Sequence, residues 1–307
     1  MLRPTFAGLC LALALCGRLL ASPFALEEIA PGVFAHPGQT ALMTRENEGD
    51  IANIGFVVGD EAVAVIDTGG SLGLGRKLLA AIREKTAKPI RYVVNTHAHP
   101  DHVFGNGAFA AAGVDFVGHK NLARALEARG DYYLSSFREA MGAALEGVTI
   151  VKPTVVVEGE TTLDLGGRRL VLKAWKTAHS DCDLTVLDAK SGTLFAGDLL
   201  FVRHVPVVDG SLLGFLGVAD ELAKIAAIRA VPGHGPPVVP WPQALEEQRA
   251  YLARLTADLR AAIRKGEAVD AAAKDAGQSE SGKWSLFETY HARNATAGFA
   301  ELEWEEP

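Results

Sequence analysis

One seven-residue stretch constrains this chain more than any other: Thr96-His97-Ala98-His99-Pro100-Asp101-His102, directly after the apolar Tyr92-Val93-Val94. Side chains alternate along extended backbone, so in an extended loop His97 and His99 point to the same side. A turn at Pro100 then presents Asp101 and His102 in another direction. Imidazole and carboxylate are the ligands that zinc and similar borderline metals prefer, and two directions of presentation suit two ions. The chain has nine histidines in 307 residues. Three of them in this frame would need three adjacent satisfied imidazoles to serve as core residues, so the metal reading is the one to carry forward.

Three more residues of the same chemistry also follow apolar strands. His179 comes after Leu170–Trp175, Asp198 after Leu194-Phe195-Ala196, and His234 after Ala230-Val231. Each alone is weak, since a lone loop histidine is more often solvated. Together they form a set that strand-end loops can gather at one edge of a sheet sandwich.

The surrounding pattern is that of an α/β layered fold. Ile54–Val58 and Ala62–Ile66 read as strands, 74–86 as a helix, and Ile90–Val94 as another strand. Val155–Glu158, Thr162–Leu165 and Arg169–Trp175 read as antiparallel strands, followed by Leu184–Leu187 and Thr193–Ala196. A long amphipathic helix is expected over 243–265. Beyond it lies a mixed tail whose Trp284, Phe287, Phe299 and Trp304 are expected to dock on the body. No Pro/Ser-rich linker divides the chain, so residues 26–307 read as one domain with a helical extension from about 243.

The N-terminus has another character. Arg3 precedes an apolar run from Phe6 to Leu15, too short for the ~20 residues of a membrane span but suited to a secretory signal. Cleavage after Ala21, or as late as Ala25, is expected, with export to the periplasm and no stable membrane span afterwards. Cutting after Ala21 removes Cys10 and Cys16, leaving Cys182 as the one thiol, so an oxidising compartment is tolerated but not exploited. It also takes the net charge from −7 to −9. So acidic a chain lacks the basic surface that nucleic acid requires, and a small-molecule substrate is the expected partner.

Taken together, the motifs resemble the metallo-β-lactamase superfamily: Pro31-Gly32-Val33-Phe34, the strand-end Asp67, the 97–102 run, His179 in Thr-Ala-His-Ser-Asp, Asp198 in Phe-Ala-Gly-Asp, and His234 in Pro-Gly-His-Gly. The resemblance implies a four-layer αβ/βα sandwich with a dinuclear site at one edge. It places His97, His99 and His179 on a first metal, Asp101, His102 and His234 on a second, and Asp198 between them. Two Zn2+ are implied, with Fe or Mn as alternatives. Further strings at 96–109, 118–126, 204–215 and 290–305 are similar to the quinoprotein relay system zinc metallohydrolases, exported proteins linked to quinoprotein dehydrogenases and sulfur-oxidation clusters.

The implied mechanism is metal-assisted hydrolysis by a hydroxide shared between the ions, with Asp101 and Asp198 as catalytic carboxylates. Antibiotic-hydrolysing members generally lack a bridging carboxylate where this chain has Asp198, so a thioester, ester or lactone is the expected substrate. The rival readings are β-lactam hydrolysis, iron-dependent sulfur oxidation, and a non-catalytic metal-binding accessory protein. Cys182 is expected in the core. His119 is expected to support the site or serve structure. Arg203, His204 and Asp209 are placed evenly between the groove and a solvated loop. Tyr132 and Tyr133 are expected to pack, and His36 and His291 carry no signal.

Overall fold

The computed structural model describes residues 24–305, and within them thirteen strands form two sheets. The signal segment expected over residues 1–21 lies outside the described residues. The first sheet runs in chain order: β1 (Glu27–Ala30), β2 (Val33–His36), β3 (Ile54–Val58), β4 (Val63–Ile66), β5 (Ile90–Val94), β6 (Asp115–His119) and β7 (Val155–Val157). Its first four strands are antiparallel neighbours, and β4 to β7 are parallel. The second sheet has β8 (Glu160–Asp164), β9 (Arg169–Ala174), β10 (Leu184–Asp188), β11 (Thr193–Phe201), β12 (Arg229–His234) and β13 (Val239–Pro240), laid out in the order β13-β12-β11-β10-β9-β8. The helices are α1 (Leu72–Lys85), α2 (Pro100–Val103), α3 (Leu122–Ser136), α4 (Arg138–Met141), α5 (Leu212–Leu222), α6 (Leu245–Arg264), α7 (Val269–Asp275) and α8 (Phe287–Leu302).

The two-residue period of the strands decides the layering. Val94, Ile66 and Val117 point inward and meet Leu172, Val186, Phe195 and Val231 of the other sheet. Their neighbours Val93 and Val65 point outward, against Leu74, Leu78 and Ile82 of α1. On the far side, Leu194 and Ala196 of β11 pack beneath Phe215, Leu252, Leu255 and Phe299 from α5, α6 and α8. The result is the four-layer αβ/βα sandwich that the motifs imply. Ser71 starts α1 by accepting from the Leu74 N–H, and Arg83 and Lys85 complement its C-terminal dipole.

One buried ion pair ties the sheets together. Arg168, 4% exposed, donates to Asp188 at 2.6 and 3.0 Å on one sheet and to the Pro31 and Val58 carbonyls at 2.9 and 3.0 Å on the other. With all three guanidinium nitrogens engaged, losing one partner of such a pair costs about 3–5 kcal/mol.

Four expectations need correction. Val155–Val157 does not pair antiparallel with the strand after it; it joins β6 in parallel and closes the first sheet, while Glu160–Asp164 begins the second. Strand β11 does not stop at Ala196 but continues through Gly197 and Asp198 to Phe201, with register shifts either side of Gly197. Trp304 does not dock: it is 82% exposed, whereas Trp284, Phe287 and Phe299 are buried. Tyr132 is 66% exposed and outside the core; its ring stands 6.0 Å from that of Tyr133 at the groove.

Candidate metal centre

All seven expected ligand residues converge at one edge of the sandwich. His97 and His99 lie on the loop leaving β5, and Asp101 and His102 on the first turn of α2, where Pro100 fixes the helix start. His179 lies between β9 and β10, Asp198 within β11, and His234 at the end of β12. Four ligands thus hang from the first sheet and three from the second.

The donor atoms fall into two groups: His97, His99, His179 and Asp198, and then Asp101, His102 and His234, the atoms of each lying within 4.8 Å of one another. His99 Nδ1 sits 3.1 Å from His97 Nε2 and 2.9 Å from His179 Nε2. The other nitrogen of each ring is already committed. His97 Nδ1 donates to Thr96 Oγ1 (3.1 Å), His99 Nε2 to Asp209 Oδ2 (3.2 Å), and His179 Nδ1 to the Val207 carbonyl (2.7 Å). With those tautomers three lone pairs face one point, an arrangement that a metal cation would satisfy.

The second group repeats the pattern. His102 Nδ1 donates to Asp67 Oδ2 at 2.8 Å and His234 Nδ1 to the Ile51 carbonyl at 2.9 Å, turning both Nε2 atoms inward. There His234 Nε2 is 3.3 Å and His102 Nε2 3.5 Å from Asp101 Oδ2. Asp198 stands between the groups, with Oδ1 3.2 Å from His102 Nε2 and Oδ2 3.4 Å from both His179 and His234. His102 Nε2 and Asp198 Oδ1 are buried with no hydrogen-bond partner. Unpaired buried groups of this kind fit a site built for metal ions.

Backbone geometry holds this frame tight. Asp67 adopts a positive φ of 55°, a strained conformation for a non-glycine residue, and anchors the Thr96 N–H and hydroxyl at 2.8 and 2.7 Å. Gly197 has φ 52°, and a Cβ there would lie 2.7 Å from Thr96; at Gly233 it would lie 1.9 Å from Asp198 Oδ1. Neither position has room for a side chain.

Burial and charge divide the histidines. Burial holds His97 well below its ordinary pKa and takes His179 down to about 4, so both are ready to ligate. Burial also opposes charge on His102 and His234, but there the carboxylates win. Asp198, Asp101 and Asp67 raise His102 well above its ordinary value, and Asp198 and Asp101 raise His234 to about 9. With both shifts upward, the metal-free protein is expected to hold the extra proton on these two rings at pH 7, and an incoming metal would displace it. Affinity should rise with pH toward about 9, and saturation at pH 7 should release about two protons. Calorimetric titration of zinc in buffers of different ionisation enthalpy measures that number; zero net release would contradict it.

The remaining candidates separate clearly. His204 lines the groove, its ring 4.9 Å from that of His234, and Asp209 lines it while holding His99. Arg203 lies outside the groove lining. His119 is structural: Nε2 donates to the Trp175 carbonyl, and Nδ1 accepts from the Asn121 N–H. Cys182 is a core residue whose thiol burial pushes up to about 12. His36 pairs with Asp50, and His291 bridges Tyr251 and the Ala276 carbonyl. Tyr133 lines the groove, its ring 6.1 Å from that of His99.

Sequence reasoning missed Arg129, Arg293 and Tyr290, which also line this groove of about 580 Å³. It missed the clamp on residues 206–212 as well. Asn294 of α8 accepts from the Val208 N–H and donates to the Pro206 carbonyl (2.9 and 2.6 Å), and Glu301 accepts from Ser211 and the Leu212 N–H, both at 2.6 Å. Val207 and Asp209, which brace His179 and His99, lie on that clamped segment. The polar Asn294 and Glu301 at seven-residue spacing, on a helix face otherwise apolar but for His291, were the one available signal.

Comparison with known proteins agrees with this fold. The family described as the metallo-beta-lactamase superfamily matches residues 47–256. A stereoselective inverting sec-alkylsulfatase from Pseudomonas sp. superposes with a TM-score of 0.70 at 16% identity, covering 91% of this chain and 50% of that one. A metallo-beta-lactamase family protein from Thermus thermophilus gives 0.65 at 22% identity, covering 90% and 93%. A metallo-beta-lactamase from Pontibacter korlensis gives 0.61 at 21%, covering 75% and 98%. A linear primary-alkylsulfatase from Pseudomonas sp. is 45% identical over 51 residues, 17% of this chain and 10% of that protein. The chain thus spans half of the first alkylsulfatase and aligns with a tenth of the second.

Proposed function

Because the chain belongs to the metallo-β-lactamase superfamily, we propose that it is a metallo-hydrolase that holds two divalent ions and cleaves an activated acyl bond: a thioester, ester or lactone. The observation that carries this reading is Asp198, whose two oxygens face the two donor groups from a fully strand-bound position. The donor set is all nitrogen and oxygen, which fits zinc, with iron or manganese as alternatives. Bound there, such ions supply Lewis acidity and an acidified water. The chain's own contribution is orientation. His97, His99 and His179 fix one ion, and Asp101, His102 and His234 the other. Burial opposes charge on Asp101, yet His102 and His234 hold its pKa at about 2, so it stays an anion able to orient that water and accept its proton. Elemental analysis should approach two metal equivalents. On that metal-quantified sample, kcat/KM on thioesters and lactones should exceed that on β-lactams. Efficient carbapenem or cephalosporin cleavage, abolished by Asp198→Ala, would reverse the assignment. Sulfate-ester hydrolysis is the second reading, favoured by the 45% identity with an alkylsulfatase; alkyl sulfates belong on the same panel.

The subtype and the location are part of the same proposal. The strings at 96–109 and 290–305 support a quinoprotein relay system type, working beside periplasmic quinoprotein dehydrogenases. The apolar run from Phe6 to Leu15 supports export. No helix among the described residues is long and apolar enough to cross a membrane. Cell fractionation with mass spectrometry of the N-terminus should find a chain beginning at residue 22 to 26 in the periplasm. An intact Met1 in the cytosol would end this part of the reading.

A further inference from the structure

Two arginines meet at the mouth of the groove, Arg129 from α3 and Arg293 from α8, and both donate to the carboxylate of Asp209. The same carboxylate accepts from His99. One negative charge therefore faces two guanidiniums and leaves a surplus positive charge, in a chain whose net charge is −7. Arg129 engages Asp209 through Nη1, which also reaches the Tyr133 hydroxyl at 3.5 Å, and Arg293 engages it through Nη2. Among the described residues neither has another partner, so each planar fork keeps donors on its Nε and remaining Nη. Both side chains are about half exposed, 47% and 58%, while Asp209 is 11% exposed. Bracing His99 needs the Asp209 carboxylate; it does not need two half-exposed cations with donors to spare. Leu42, Met43 and Phe137 line the same groove with apolar surface.

We propose that Arg129 and Arg293 form an anion clamp, and that the substrate is an amphiphile carrying a carboxylate or sulfate group on an apolar body. This deepens, and rests on, the reading of the groove as a hydrolase site. Arg293 lies beyond the family-matched residues 47–256, so the clamp is assembled between that region and the C-terminal helix. The Asp209 carboxylate positions both forks before a ligand arrives, which lowers the cost of binding. Charge-assisted contacts from a fork to an oxyacid are among the stronger hydrogen bonds, and their loss is read as roughly tenfold or more in affinity.

The test is calorimetric titration of the metal-loaded protein with hexanoate, hexyl sulfate and hexanol. It is repeated for Arg129→Gln, Arg293→Gln and Arg293→Lys, with metal content measured for each. The anions should bind more tightly than hexanol, and salt should weaken them. Each Gln variant should weaken them about tenfold while hexanol is unaffected, and Arg293→Lys should retain part of the affinity. A preference for hexanoate over hexyl sulfate, or the reverse, identifies the group recognised. Anions held only by the metal ions would keep their affinity in both Gln variants and overturn the clamp, as would hexanol binding as tightly as hexanoate. Should a Gln variant fail to fold, the salt dependence and Arg293→Lys still decide. Clamp-dependent binding without turnover of any acyl or sulfate ester would sink the hydrolase reading alone.

Discussion

Replacing Asp198 with asparagine should lower kcat/KM by about a thousandfold or more and drop metal content below two equivalents. The reason is geometric. Asp198 Oδ1 faces His102 while Oδ2 faces both His179 and His234, and its carboxyl is held well below the usual range: burial opposes the charge, but His234, His102, His97 and His179 outweigh it. An amide has one acceptor oxygen and a nitrogen that cannot ligate, so either the oxygen facing His102 or the one facing His179 and His234 is lost, whichever way the amide turns. Retention of two equivalents and of activity within about tenfold of wild type would refute the bridging role.

Asp67→Asn should weaken metal binding at the His102 group by about 10–100-fold without touching a ligand. Asp67 Oδ2 accepts from both the Thr96 hydroxyl and His102 Nδ1. An amide nitrogen there donates instead of accepting, so His102 would carry its proton on Nε2, where the metal should be. Asp67→Ala is harsher: it strands the Thr96 N–H, the Thr96 hydroxyl and His102 Nδ1, all buried. Leaving several buried donors unpaired costs about 3 kcal/mol or more. Competition with a chelator measures the first effect and urea denaturation the second; wild-type behaviour in both would remove Asp67 from the supporting frame.

Legibility in the sequence followed locality. His97, His99, Asp101 and His102 occupy one short run, and the strand before them makes their direction readable without a structure. His179, Asp198 and His234 each sit in a short loop-like string whose chemistry is visible but whose convergence is a property of the sandwich. Asp209 could be placed only evenly between groove and loop, and Arg129 and Arg293 had no signal at all: the two arginines lie 80 and 84 residues from Asp209 in the chain, and only the packing of α3 and α8 around the groove brings them together. Strand β7 was misplaced because three valines read the same whichever sheet they join. Strand β11 was cut short because Gly197-Asp198 looks like a strand end, whereas the backbone absorbs it as a shift in register.

The clamp of α8 on residues 206–212 sets an order of events in time. His234, the last candidate ligand, leaves the ribosome well before Asn294 and Glu301. Until those two arrive, the Val207 carbonyl and the Asp209 carboxylate lack the contacts that fix them, and His179 and His99 are free to turn. A growing chain thus contains every ligand long before it contains a site. On the proposed metal reading, capture of the ions waits until α8 has closed on residues 206–212.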